Sequence, residues 1–202
     1  MAVAATTELE AINIMLAAIG EAPVNTLTGS LPVDVKIAQS TLVEINKSVQ
    51  AEGWSFNTEI DVTLTRNASK QIVLPTDVLR VDANIHQHPD IDPIQRGLKL
   101  YDRLKNTFEF EEDLICTVVY FRDFDEIPEQ ARSYINIRAA RIFVDRLVSD
   151  QGLRTYTKED EIRARVTLTE TDLANGDHNM LRGDPSLTTV FGTYSPANGL
   201  IR

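Results

Sequence analysis

The chain has 202 residues, 43% of them hydrophobic, and its 30 acidic and 20 basic side chains leave a formal charge of −10. That length buries one sizeable core and permits one domain or at most two. The charge has the wrong sign for wrapping duplex DNA by neutralising phosphates, and a single cysteine excludes an intrachain disulfide.

In chain order, Thr7 and Glu10 stand at capping-box spacing, Leu9, Ile12, Leu16 and Ile19 share one face, and Gly20 can take the left-handed backbone that ends a helix. A first helix over 7–19 is expected. The N-terminus lacks a basic region, and the apolar stretch from Ala11 to Ile19 is too short and too helical in pattern for a membrane span, so neither secretion nor membrane insertion is expected. Pro32 opens a second helix, 32–52, in which Ala38, Leu42, Ile45 and Val49 recur at four-three-four spacing until Gly53 stops it.

From Trp54 the period becomes two: Ile60, Val62 and Leu64 alternate with Asp61 and Thr63, and Phe108 and Phe110 flank Glu109. Short strands also fit 71–74, 78–83, 98–101 and 114–121. No helix of ten residues interrupts them, which predicts an antiparallel β region over 54–122 joined by meander-like hairpins. Trp54, at a helix-to-strand junction, reads as a core anchor. Cys116 lies in the apolar run from Leu114 to Phe121 and reads as a small buried hydrophobe, suited to a reducing cytoplasm.

Pro128 opens a third helix, 128–150, with Ala131, Ile135, Ala139 and Ile142 inward, and Thr157 with Asp160 or Glu161 caps a fourth, 157–175. On that fourth helix Ile162, Val166, Thr169 and Leu173 form the expected buried stripe, and Asn175-Gly176 ends it. The layout predicts an α+β fold: a four-helix bundle of two N-terminal and two C-terminal helices with an inserted antiparallel sheet, one domain over 1–182, and an extended arm over 183–202. In the arm only Leu187, Val190, Phe191, Tyr194, Leu200 and Ile201 can pack on anything, so it is expected to order on a partner.

Candidate chemistry is thin. His86, His88 and Asp90 could converge on one ion from an extended segment, but Pro89 and Pro93 mark a loop, and a water-facing loop without metal is expected. Glu109, Glu111, Glu112 and Asp113 could supply the carboxylate pair of a glycosidase, yet a dense acidic run in a turn stays solvated and ionised, whereas a general acid needs desolvation. Neither a nucleophile elbow nor a phosphate loop is present, and no cofactor is expected. Arg132, Arg138, Arg141 and Arg146 cluster on the third helix, where they could touch DNA phosphates or form salt bridges with Glu129, Asp145 and the acidic start of the fourth helix.

Several elements in a fixed order carry a family resemblance: Ala-Ile-Asn and Ile-Gly-Glu-Ala-Pro-Val within 11–24, Gly53-Trp54 with Phe56-Asn57, the turn from Arg122 to Pro128, Asn179-Met-Leu, and Gly183-Asp184. With them the chain resembles the tail tubular protein A family of short-tailed, T7-like phages, over nearly its whole length; 67–106 carry no such word. The resemblance implies a non-enzymatic head-to-tail adaptor of the virion, made in the cytoplasm of a bacterial host. It implies a twelve-membered homo-oligomeric ring under the portal protein, a tubular nozzle of the tail tubular protein B kind on the other face, a docking point for tail fibres, and DNA passing without specific binding. A tail-associated cell-wall hydrolase is the alternative. The partner interface is expected at Leu187, Phe191, Tyr194, Leu200 and Ile201 of the arm, with Arg138 and Arg141 of the third helix.

Overall fold

The computed structural model describes residues 5–84, 86–147 and 158–175. Among them are four α-helices, α1 (Glu8–Ala18), α2 (Val33–Gln50), α3 (Glu129–Leu147) and α4 (Lys158–Asn175), and five strands, β1 (Thr58–Leu64), β2 (Val78–Ala83), β3 (Pro93–Arg96), β4 (Lys99–Asp102) and β5 (Leu114–Tyr120). The fold is α+β with small antiparallel sheets.

α1 begins where its capping box predicts. The Thr7 hydroxyl accepts from the Glu10 N–H at 3.3 Å and the Glu10 carboxylate accepts from the Thr7 N–H at 2.9 Å, satisfying two donors that the helix start would otherwise orphan. Past its end, Asn13 clamps the returning chain, its side-chain amide donating to the Val24 carbonyl at 3.0 Å and accepting from the Val24 N–H at 2.8 Å. The Ala-Ile-Asn and Ala-Pro-Val elements are therefore two halves of one contact.

α3 packs against α1, α2 and α4. Ile12, Met15 and Leu16 of α1, Ala38, Leu42, Ile45 and Val49 of α2, and Ala131, Ile135, Ala139 and Phe143 of α3 are buried together with Trp54, Phe124 and Ile127. A second core under the strands gathers Leu64, Ile72, Leu74, Leu100, Phe110, Leu114, Cys116 and Val118. Burial pushes the Cys116 thiol up to about 12, with nearby Asp82 adding to the shift, so it behaves as a hydrophobe and not as a nucleophile.

The β region departs from the meander. β5 lies in the middle of the three-stranded sheet, in the order β1-β5-β2, antiparallel to both neighbours, and β3 pairs only with β4 in a separate hairpin. The last strand in sequence takes the centre because its run from Leu114 to Tyr120 is the most continuously buried, and a central strand needs apolar cover on both faces. Two other strand expectations are corrected. The 71–74 segment makes isolated bridges only, and Phe108 and Phe110 lie outside the strands, where Phe110 enters the core and Phe108 meets Tyr101 edge-on at 4.9 Å. β3, with Pro93 at its start, was not anticipated.

The helical and sheet halves meet at a buried amide junction. The Gln50 side chain, at the end of α2, donates to the Arg122 carbonyl at 2.7 Å and accepts from the Arg122 N–H at 2.8 Å, as a neighbouring strand would. Asn57 donates to the carbonyls of Gln50 (2.9 Å) and Tyr120 (2.8 Å) and accepts from the Trp54 N–H (2.9 Å). Gly53 sits between them at φ +82°, and a Cβ there would lie 2.7 Å from the Arg80 guanidinium. Asn57→Ala should strand three buried backbone groups, at a cost of about 3 kcal/mol. The thermal midpoint followed by circular dichroism should fall by roughly 6–12 °C, and a fall under 2 °C would show that water replaces the amide.

Candidate functional site

α4 carries two stripes of identical spacing, one residue apart. Ile162, Val166, Thr169 and Leu173 form the apolar stripe, and Glu161, Arg165, Leu168 and Asp172 the other. The structure turns the second inward, which corrects the sequence expectation. Leu168 is the one buried residue of α4, while Ile162, Val166 and Leu173 are 53%, 49% and 56% exposed.

Electrostatics decides the rotation. Glu161 accepts from Arg141 Nε at 2.5 Å and lies 3.6 Å from Arg138 Nε. Arg165 reaches Glu52, just past α2, at 2.6 Å and donates to the Tyr134 hydroxyl at 3.3 Å, which also accepts from Arg138 at 3.1 Å. Further along, the Asp172 carboxylate accepts from both the N–H and the hydroxyl of Ser55, at 2.8 and 2.6 Å. Three polar anchors thus tie α4 to α3 and to the 52–55 turn, and turning α4 by one residue would bury the stripe at the loss of all three.

The exposed face is more apolar than its composition suggests. The hydroxyls of Thr167, Thr169 and Thr171 donate to the carbonyls four residues back, at 3.2, 2.9 and 2.9 Å, leaving their methyls available at the surface.

Of the interface residues expected from the sequence, Arg138 and Arg141 lie in this intrachain network, while Leu187, Phe191, Tyr194, Leu200 and Ile201 lie outside the described residues. The other α3 arginines are likewise engaged within the chain. Arg132 donates to the carbonyls of Thr6, Asp125 and Ile127, and Arg146 pairs with Glu44 at 2.9 Å. Tyr134, Glu52 and Asp172 were missed, and the legible signal was the four-three-four recurrence at 161, 165, 168 and 172.

The histidine loop is also corrected. His88 is buried; its Nε2 accepts from the Ile115 N–H at 3.0 Å, which leaves the ring proton on Nδ1 to donate to Glu112 at 2.8 Å. Both ring nitrogens thus brace the loop onto β5, and among the described residues no three His, Cys, Asp or Glu side chains group as metal ligands. In the acidic turn the Lys70 ammonium holds the Glu111 carboxyl below its ordinary value, the opposite of what a general acid requires. Burial, and then Asp125 and Asp123, push the Glu8 carboxyl upward at the start of α1.

The family model for the tail tubular protein matches residues 9–178. The chain belongs to the tail tubular protein family. It is also 28% identical over 165 residues to "Tail tubular protein A" of Klebsiella phage KP34, across 81% of this chain and 86% of that protein. Membership makes it a structural protein of a phage tail, located in the virion, and the comparisons lend the hydrolase alternative no support. No helix among the described residues is long and apolar enough to cross a membrane.

Glu161→Ala should loosen the start of α4, because it removes the carboxylate that two arginines share. Amide exchange across 158–168 is expected to accelerate on the order of tenfold while α1 and α2 keep their protection. Arg163→Ala, at a side chain 81% exposed, should change nothing. Equal exchange in the Glu161 variant and the parent would show that the Glu161 anchor does not hold the start of the helix.

Proposed function

We propose that this tail tubular protein is the head-to-tail adaptor: twelve copies form a ring that joins the portal to the tail nozzle around the DNA ejection channel and offers tail fibres a docking point. Family membership over 9–178 carries the reading, and it agrees with the word-by-word resemblance to adaptor proteins. In each copy the helices act as one four-helix bundle within a domain over 1–182. The arm over 183–202 reaches a neighbour or the portal through Leu187, Phe191, Tyr194, Leu200 and Ile201. Arg138 and Arg141 serve the interface by positioning α4.

The electrostatics support a channel wall. The four arginines of α3 are already bonded within the chain, and the net charge is −10. Twelve copies would place on the order of −120 formal charges in one ring, which keeps phosphates from adhering while DNA slides past.

Purified chain should be monomeric by light scattering at micromolar concentration and form closed rings on portal particles, seen by electron microscopy. Deleting residues 187–202 should leave the monomer's melting temperature in place and abolish attachment. A stable free dodecamer would contradict ring formation on the portal, melting of the truncated monomer would assign the arm to the core, and failure of the full chain to attach would sink the adaptor reading.

A further inference from the structure

α2 presents to solvent a stripe that mirrors the outer face of α4. On α4, Glu159, Val166 and Glu170 stand at positions i, i+7 and i+11 and are exposed, with Ile162 beside them; on α2, Lys36, Val43 and Lys47 stand at i, i+7 and i+11 and are exposed. Eleven residues are close to three helical turns, so each triplet lies along one face over about 16 Å. None of these four charged side chains has an ion-pair partner among the described residues. Both helices pack on α3 with their other faces, so the two stripes of one copy cannot meet each other.

We infer that the outer face of α4 in one copy docks, parallel and side by side, on the outer face of α2 in a second copy, with Glu159 on Lys36, Val166 on Val43 and Glu170 on Lys47. Charge and spacing choose this occupant. Two α4 faces laid together would oppose glutamates to glutamates, and two α2 faces lysines to lysines, whereas the mixed pair places Glu159 and Glu170 on lysines at both ends of the Val166 and Val43 contact, with exposed Arg163 level with the neutral Ser40. Ile162 then meets the rim of the groove beside Val43, where Leu79 and Phe121 add apolar surface. A contact between two different faces is heterologous: it leaves one face free on each end and propagates, into a ring where the rotation between copies closes and into an open filament where it does not.

The contact is also small. A helix face about 27 Å long and about 10 Å wide covers roughly 270 Å² in projection, well under the ~800 Å² per partner of a stable interface. It therefore operates where another surface concentrates the copies. In that respect it rests on the adaptor reading and names the subunit contact of that ring.

Cysteine cross-linking of the full chain tests it, since Cys116 is wholly buried and silent. Mixed at high protein concentration, which stands in for the concentrating surface, Val166→Cys and Val43→Cys under mild oxidation should give at least tenfold more disulfide dimer than either variant alone. Glu170→Lys on the first partner should lower the yield severalfold, and Lys47→Glu on the second should restore it. Self-dimers of Val166→Cys in equal yield would overturn the pairing. So would a mixed yield no greater than that with Leu104→Cys, an exposed position in the β region. Portal attachment of the parent chain, scored in parallel, separates the two claims: attachment without the specific cross-link defeats the helix pairing and leaves the adaptor standing, and the cross-link without attachment does the reverse.

Discussion

The amide junction at Gln50 and Asn57 is the constraint on which the rest of the molecule depends. A helix that ends beside a strand leaves terminal carbonyls facing a backbone that needs partners of its own, and both sets lie in the interior, where an unpaired group costs about 1–3 kcal/mol. Gln50 behaves as a strand edge of one residue toward Arg122, and Asn57 closes the turn while reaching both α2 and the end of β5. Trp54 completes the corner, its indole N–H donating to the Val49 carbonyl at 2.8 Å while its rings fill the helical core. Two cores that have no residue in common are thereby held in one orientation.

α4 illustrates a different balance. Its apolar stripe would contribute more area to the core than Leu168 does, yet the helix shows that stripe to water. The reason is the supply of fixed partners: Arg138, Arg141 and Tyr134 on α3, Glu52 past α2 and Ser55 in the turn present charges and donors that would be left unmatched if the apolar side came in. A partly buried network of this kind orients more than it stabilises. What it orients is a face rich in methyl groups, with Glu159 and Glu170 at its two ends and Arg163 between them.

The arginines carry a related lesson. Four of them on one helix look like a phosphate-binding strip. In the fold each has carboxylate or carbonyl partners, so they align α3 with the N-terminal segment, with α2 and with α4. The molecule remains acidic toward its surroundings, and Lys36 and Lys47 are among the described cationic side chains that lack ion pairs.

Local rules carried much of the fold. The capping box at Thr7, the stop at Gly53, the four-three-four stripe of α2 and the inward face of α3 follow from backbone sterics and helical period, which act within a turn or two of chain and are readable from residue order. The family words were legible too, and the structure supplies their physics: Asn13 clamps Val24, and Gly53, Trp54 and Asn57 build the junction. What residue order could not decide was any choice between patterns of equal local merit. β5 takes the centre of the sheet by competing for burial with strands far away in sequence, His88 is buried because Glu112 and Ile115 are brought to it across 24 and 27 residues, and α4 faces inward with the poorer stripe because its partners arrive from Glu52, Ser55 and Tyr134. Those outcomes depend on what the rest of the chain places opposite each surface, and only the tertiary structure sets that.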